Sequence, residues 1–139
     1  MSSEATVSIG VVYPDADSVG VVADLLKPHP DVVRASYSAE SAGVVLIEDG
    51  STATDTFSID FGDVAKATLL FLRNASSQEL DVTFDGSHVA FTLPPGGMFA
   101  AAMSEAPSGT EISAVTLVCT ASQTGDEPVY FRVFGEVAA

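Results

Sequence analysis

From residue 57 onward the hydrophobic positions fall in short alternating runs, each ended by a turn signal. Phe57, Ile59 and Phe61 recur at every second position, which places them on one face of a strand. Residues 65–73 form a nearly continuous apolar run, Ala-Lys-Ala-Thr-Leu-Leu-Phe-Leu-Arg, the pattern of a central strand buried on both faces. Leu80, Val82 and Phe84 alternate with Asp81, Thr83 and Asp85, predicting a half-buried strand with a polar outer face. Asp85-Gly86 is a turn signal, and Val89, Phe91 and Leu93 alternate after it, so the two runs read as a hairpin. Pro94-Pro95-Gly96-Gly97 then breaks the ladder, because proline lacks a donor and glycine admits positive φ. Residues 98–103, 112–121 and 128–137 complete a series of seven strands from Thr54 onward. Their spacing predicts an all-β fold, an antiparallel β-sandwich of Greek-key or jelly-roll-like type with an N-terminal extension.

The first 53 residues read differently. All eight Phe lie at or after Phe57, and only Tyr13 and Tyr37 among the aromatic residues precede it. Large aromatic side chains dominate core burial, so residues 54–139 are expected to form the sandwich core. Residues 1–53 are expected to supply an arm or edge strands that reach a neighbouring subunit or the sandwich itself. Residues 6–13, 32–37 and 44–47 are β-like, and Val19, Val22, Ala23 and Leu26 fit one face of a helix. Val7, Ile9, Val11 and Tyr13 are the residues expected to make partner contact.

Composition bounds the function classes. At 139 residues and 47% hydrophobic content, the chain can bury a core of its own. No apolar run approaches the roughly 18–20 residues of a membrane-spanning helix, so no membrane partner is expected. The N-terminus lacks a basic stretch followed by an apolar one, so no secretory signal is expected. The single cysteine, Cys119, excludes an intrachain disulfide and fits synthesis in a reducing cytoplasm. Acidic residues number 19 against five basic ones, for a net charge of −14. That argues against direct nucleic-acid binding, which needs clustered Lys and Arg. It fits colloidal solubility, or docking onto a basic partner surface.

No motif announces catalysis, a cofactor or a metal. Cys119 sits inside the apolar run Val-Thr-Leu-Val-Cys-Thr and reads as a small buried hydrophobe. His29 and His88 are the only histidines, and neither has a ligand at a recognised spacing. Asp15, Asp17 and Gly20 begin like a calcium loop, but Val19 and Leu26 stand where its later ligands belong. The acid pairs Glu48-Asp49 and Asp126-Glu127 read as solvated loop charges. A nucleophile elbow and a phosphate loop are both missing. Asn74-Ala75-Ser76 is formally a glycosylation sequon but reads more simply as a turn in which the Asn side chain bonds nearby backbone. The expectation is a protein that is not an enzyme, with no catalytic, cofactor or metal residues.

One resemblance adds to this reading. The run Leu-Leu-Phe-Leu-Arg-Asn-Ala-Ser-Ser from Leu69, the strand Leu-Asp-Val-Thr-Phe and then Phe-Thr-Leu-Pro-Pro-Gly-Gly-Met-Phe from Phe91 resemble small virion structural proteins of tailed bacteriophages. The later Ile-Ser-Ala-Val-Thr-Leu and Val-Tyr-Phe-Arg-Val-Phe-Gly strands extend the likeness over about residues 64–137. The resemblance implies a non-enzymatic virion component: a capsid decoration (cement) protein that stabilises the head shell. The alternative is a tail structural protein or a tail-tip module binding a receptor or carbohydrate through loops 94–97 and 122–128. The implied partners are the major capsid protein or other virion proteins, and other copies of the chain, with a trimer favoured. An acid-pair hydrolase is the enzyme alternative, and two carboxylates converging in one pocket would mark it.

Overall fold

The computed structural model describes residues 3–9, 31–85, 89–102 and 112–137. In chain order the strands are β1 (Ser3–Ile9), β2 (Asp31–Tyr37), β3 (Ala39–Ile47), β4 (Thr56–Ser58), β5 (Val64–Asn74), β6 (Leu80–Phe84), β7 (Val89–Leu93), β8 (Met98–Ala102), β9 (Val115–Cys119) and β10 (Glu127–Val137). The last seven coincide with the seven runs read from alternation. The segment 18–26, with its helical spacing, lies outside the described residues.

The eight strands from β3 onward form two four-stranded antiparallel sheets, ordered β3-β10-β5-β8 and β4-β9-β6-β7. Apart from the β6–β7 hairpin, successive strands pass between the sheets, so that most pairings join strands distant in sequence. This is the jelly roll: two interleaved Greek keys that pack face to face. β3 is an edge strand of the first sheet, paired with β10 from Ala39↔Gly135 to Ile47↔Glu127. Residues 1–53 thus supply one edge strand of the sandwich, and also β1 and β2, which pair with each other as a separate two-stranded ribbon.

The core lies between the two inner faces. Ile47, Leu72, Leu80, Val82, Leu117, Val129 and Val133 are fully buried, each contributing about 1.5–3 kcal/mol of hydrophobic stabilisation. Alternation explains the selection: Val129, Phe131 and Val133 point inward from β10, while Tyr130 and Arg132 point outward. At one edge of the sandwich the rings of Phe84, Phe91 and Phe99 pack together, with centroids 4.6 Å apart for Phe91 and Phe99. They join β6 and β7 of one sheet to β8 of the other.

Local chemistry trims two strands relative to the sequence pattern. β4 ends at Ser58, yet Ile59 and Phe61 are still buried, so the predicted face holds after the ladder stops. β9 begins at Val115 rather than 112, because Asp85 takes over there: its carboxylate accepts from the Ser113 amide at 2.9 Å and from the Ser113 hydroxyl at 2.5 Å. Asp85 closes β6 with a positive φ of 45°, a conformation that Asp tolerates better than most residues.

Residues 67–70 of β5 are buried on both faces, as the apolar run predicts. The two sides have different covers. Leu70 faces the core, whereas Leu69 lies on the outer face opposite Phe134 and is still only 5% exposed. β2 passes next to β10, β5 and β8. The ring of Tyr37, the last residue of β2, packs on that of Phe134 with centroids 4.8 Å apart. β2 therefore lies over one end of the outer face of the first sheet, and the described residues leave the other end bare.

Candidate functional site

The bare end is built from residues that face each other across all four strands. Val44, Tyr130, Arg73 and Met98 form one cross-strand row, since Tyr130 is opposite both Val44 and Arg73, and Arg73 is opposite Met98. Ala42, Arg132, Phe71 and Ala100 form the next row. Six large hydrophobic side chains are exposed among the described residues, and four of them, Val44, Leu46, Met98 and Tyr130, share this face. Met98 is the most open at 68%. Between the side chains lies a depression of about 390 Å³ whose polar side chains are Arg73, Arg132 and Tyr130. Among the described residues no carboxylate lines it.

The opposite outer face is different. Its central row is Thr56, Val118, Asp81 and Thr92, with the Thr92 hydroxyl donating to Asp81 at 2.7 Å. Ser58 and Thr116 follow in the next row. One sheet thus shows water mostly polar side chains, with Val89 exposed on its edge strand opposite Thr83, and the other shows it four exposed large apolar side chains with two arginines. Contiguous exposed apolar surface marks an interaction site more often than scattered apolar residues do.

Two of the four residues expected from sequence to contact partners are on described strands. Val7 and Ile9 lie on β1, opposite Val33 and Asp31 of β2. Val11 and Tyr13 lie outside the described residues, as do His29, His88 and the acidic segment containing Asp15 and Asp17. Arg73, Arg132, Tyr130, Val44 and Met98 were not singled out in sequence. The alternation around Tyr130 and Arg132 marks an outward face, but nothing local aligns it with residue 44 or residue 98.

The remaining sequence candidates take structural parts. Cys119 is buried in the core, and its thiol is pushed up by burial and, to a lesser extent, by the nearby Asp55 carboxylate. The two acid pairs meet: Asp126 accepts from the Asp49 amide at 2.8 Å, and Asp49 accepts from the Gly125 amide at 2.7 Å. These carboxylates lock the loop after β3 to the loop before β10.

Among the described residues Asn74 is the most connected polar side chain. It is fully buried, and its amide nitrogen donates to the carbonyls of Gln78 at 2.7 Å, Leu93 at 3.0 Å and Pro94 at 3.2 Å. Its oxygen accepts from the Ser76 amide at 3.0 Å and the Ser76 hydroxyl at 2.6 Å. The turn reading of this sequon is therefore the structural one: an amide so enclosed is inaccessible to a glycan. The Asn74 backbone also pairs with the Pro-Pro-Gly-Gly turn, through Gly96 N–H at 2.7 Å and to Gly97 C=O at 2.9 Å. Nearby, Gln78 donates to Gln123 at 2.7 Å, and Gln123 donates to the Gly125 carbonyl at 2.8 Å. Loops 94–97 and 122–128 are thereby held at the same end of the sandwich.

Glu127 closes this network by accepting from the Ser77 amide. That bond, then hydrogen bonds from the Ser77 and Gln123 side chains, hold its carboxyl below the usual carboxylate range. A carboxyl lowered on folding stabilises the protein above its unfolded pKa, and the stabilisation is lost as pH falls through the folded value. Glu127→Gln is thus expected to lower the thermal midpoint at neutral pH. The gap from the parent should close in melts taken towards about pH 3, below the ordinary carboxylate range.

No family model, curated protein or solved structure shows a significant match to this chain.

Proposed function

We propose that the protein is a non-enzymatic structural component of a tailed-bacteriophage particle: a decoration or cement protein that docks on the head shell. The observation that carries the docking role is the asymmetry of the jelly roll, with four of the six exposed large apolar side chains of the described residues and two arginines on one sheet's outer face and a mostly polar outer face on the other. The jelly roll is a recurrent architecture of viral shells, and of lectins. Fold alone does not assign function, so the docking face and the strand-and-turn likeness to virion proteins bear the weight. The two parts of that likeness, the Arg-Asn-Ala-Ser run and the Pro-Pro-Gly-Gly turn, are one physical unit joined by Asn74. The net charge of −14 suits a protein present in many copies on one particle. Other copies of the chain, as a trimer, complete the proposed assembly.

The test is a cryo-electron microscopy reconstruction of the native particle. The expected result is jelly-roll density on the head lattice, with the β3-β10-β5-β8 face turned towards the shell. Density confined to the tail would replace the head role by a tail role. Absence of the chain from purified particles would overturn the proposal.

A further inference from the structure

We infer that the bare end of the β3-β10-β5-β8 face docks an acidic, apolar segment of a protein partner. In such a segment Asp or Glu side chains are interleaved with large hydrophobic ones. Arg73 and Arg132 hold the carboxylates, and the apolar side chains lie against Val44, Tyr130 and Met98. The inference rests on the proposed function for the use of this face and adds the chemistry of what lands on it.

Charge complementarity identifies the occupant. The chain carries only five basic residues, and two of them share this face. Arg132 is opposite Phe71, two residues from Arg73 on the same strand, which puts the arginines in diagonal register about 7–8 Å apart. Both are exposed, and among the described residues neither side chain has a hydrogen bond or an ion pair. Three acids at this end of the sandwich are already engaged, Glu127 with Ser77, Asp126 with the Asp49 amide and Asp49 with the Gly125 amide, and Glu40, one row beyond Arg132 on the same outer face, is not among the residues lining the depression. Two unpaired planar guanidiniums beside an apolar floor form a carboxylate receptor, because each can bind a carboxylate bidentately and the apolar surroundings reduce competition from water. Elsewhere a surface of net charge −14 repels an acidic segment, so specificity comes from repulsion as well as attraction.

The alternatives fit less well. A second copy docked by a two-fold axis would bring the same patch, with two more arginines and no carboxylate of the described lining to pair with them. A sugar needs many hydrogen-bonding groups, and the depression offers two guanidiniums and one phenol hydroxyl. The length also suits a peptide. The row from Val44 to Met98 crosses four strands, or roughly 14 Å, which matches about four residues of extended chain.

The test is selection of a random peptide display library against the full-length chain. The winners are expected to carry Asp or Glu interleaved with Phe, Leu, Ile or Met. Their affinity should fall about tenfold or more for each arginine replaced in Arg73→Glu and Arg132→Glu. Both positions are exposed, so thermal midpoints should match the parent; Arg73→Gln and Arg132→Gln serve if reversal disturbs folding. Basic or uncharged winners, no winners, or acidic winners indifferent to both arginines would overturn the inference. Arginine-dependent binding of acidic glycans on an array, without such peptides, would overturn it in favour of a sugar. The outcome is separable from that of particle imaging: a chain found on the head that selects no acidic peptides refutes this inference alone.

Discussion

Gly135→Ala is expected to destabilise the fold by about 3 kcal/mol or more, lowering the thermal midpoint by about 10 °C. The cause is backbone contact. β10 and β5 slip register at Phe134/Gly135, and a Cβ on Gly135 would lie 1.9 Å from the Lys66 carbonyl oxygen and 2.9 Å from the Ala67 Cα. Ordinary overpacking costs about 1–3 kcal/mol because side chains can shift. Here the obstacle is main chain in a central strand pair, so the sheet itself must move. The Gly135 carbonyl also accepts from the Ser38 amide at 2.8 Å, where β2 passes into β3, so the damage should spread to the ribbon. Gly125→Ala is the control. Gly125 has a φ of 79° but nothing within 4 Å of its added Cβ, so it should cost only about 1 kcal/mol. Chemical denaturation of both variants measures the contrast, and equal losses would refute the account.

Asn74→Ala is the second large effect, expected to cost about 3–4 kcal/mol. Three carbonyls, of Gln78, Leu93 and Pro94, would lose their donor, and the Ser76 amide and hydroxyl would lose their acceptor, all at a fully buried position. Leaving a buried polar group unpaired costs about 1–3 kcal/mol each, and part of this is recovered by relaxation. Asn74→Asp separates the two halves of the side chain. It keeps the bonds to Ser76 but turns a carboxylate oxygen towards three carbonyl oxygens. It should therefore be as harmful as alanine at neutral pH and recover partly in acid, when the carboxyl can donate. A variant that melts like the parent at every pH would refute the role of the network.

These two residues show how much of the molecule is legible in sequence. The seven strands after Thr54 are legible because alternation and turn residues are local signals. β3 is only partly so: Val44 to Ile47 reads as a strand, but the Ala-Glu-Ser-Ala-Gly stretch before it has no hydrophobic rhythm, and β10 makes it a strand by pairing along its whole length. Asn74 reads as a turn residue, and its bond to Ser76 is that turn. Its reach to Leu93 and Pro94 is long in sequence and leaves no local trace. The docking face is hidden for the same reason. Alternation separates Tyr130 and Arg132 from Val129 and Val133, yet which strand lies beside them depends on sheet order, and sheet order is set by the whole chain.

That order also governs when the protein can form. The last of the described strands in chain order, β10, is an interior strand of its sheet, flanked by β3 and by β5. Until β10 has left the ribosome, the first sheet lacks its middle, and β3 and β5 keep open hydrogen-bonding edges. Closure must then join residues 39–47 to residues 127–135, a loop of the length that makes β-rich folding slow, on the order of milliseconds to seconds. Throughout that interval the hydrophobic strands from Val64 to Cys119 are already made and not yet sealed. Production of this chain is therefore a race between the arrival of one strand and aggregation, and slower synthesis at lower temperature should shift the yield towards soluble protein.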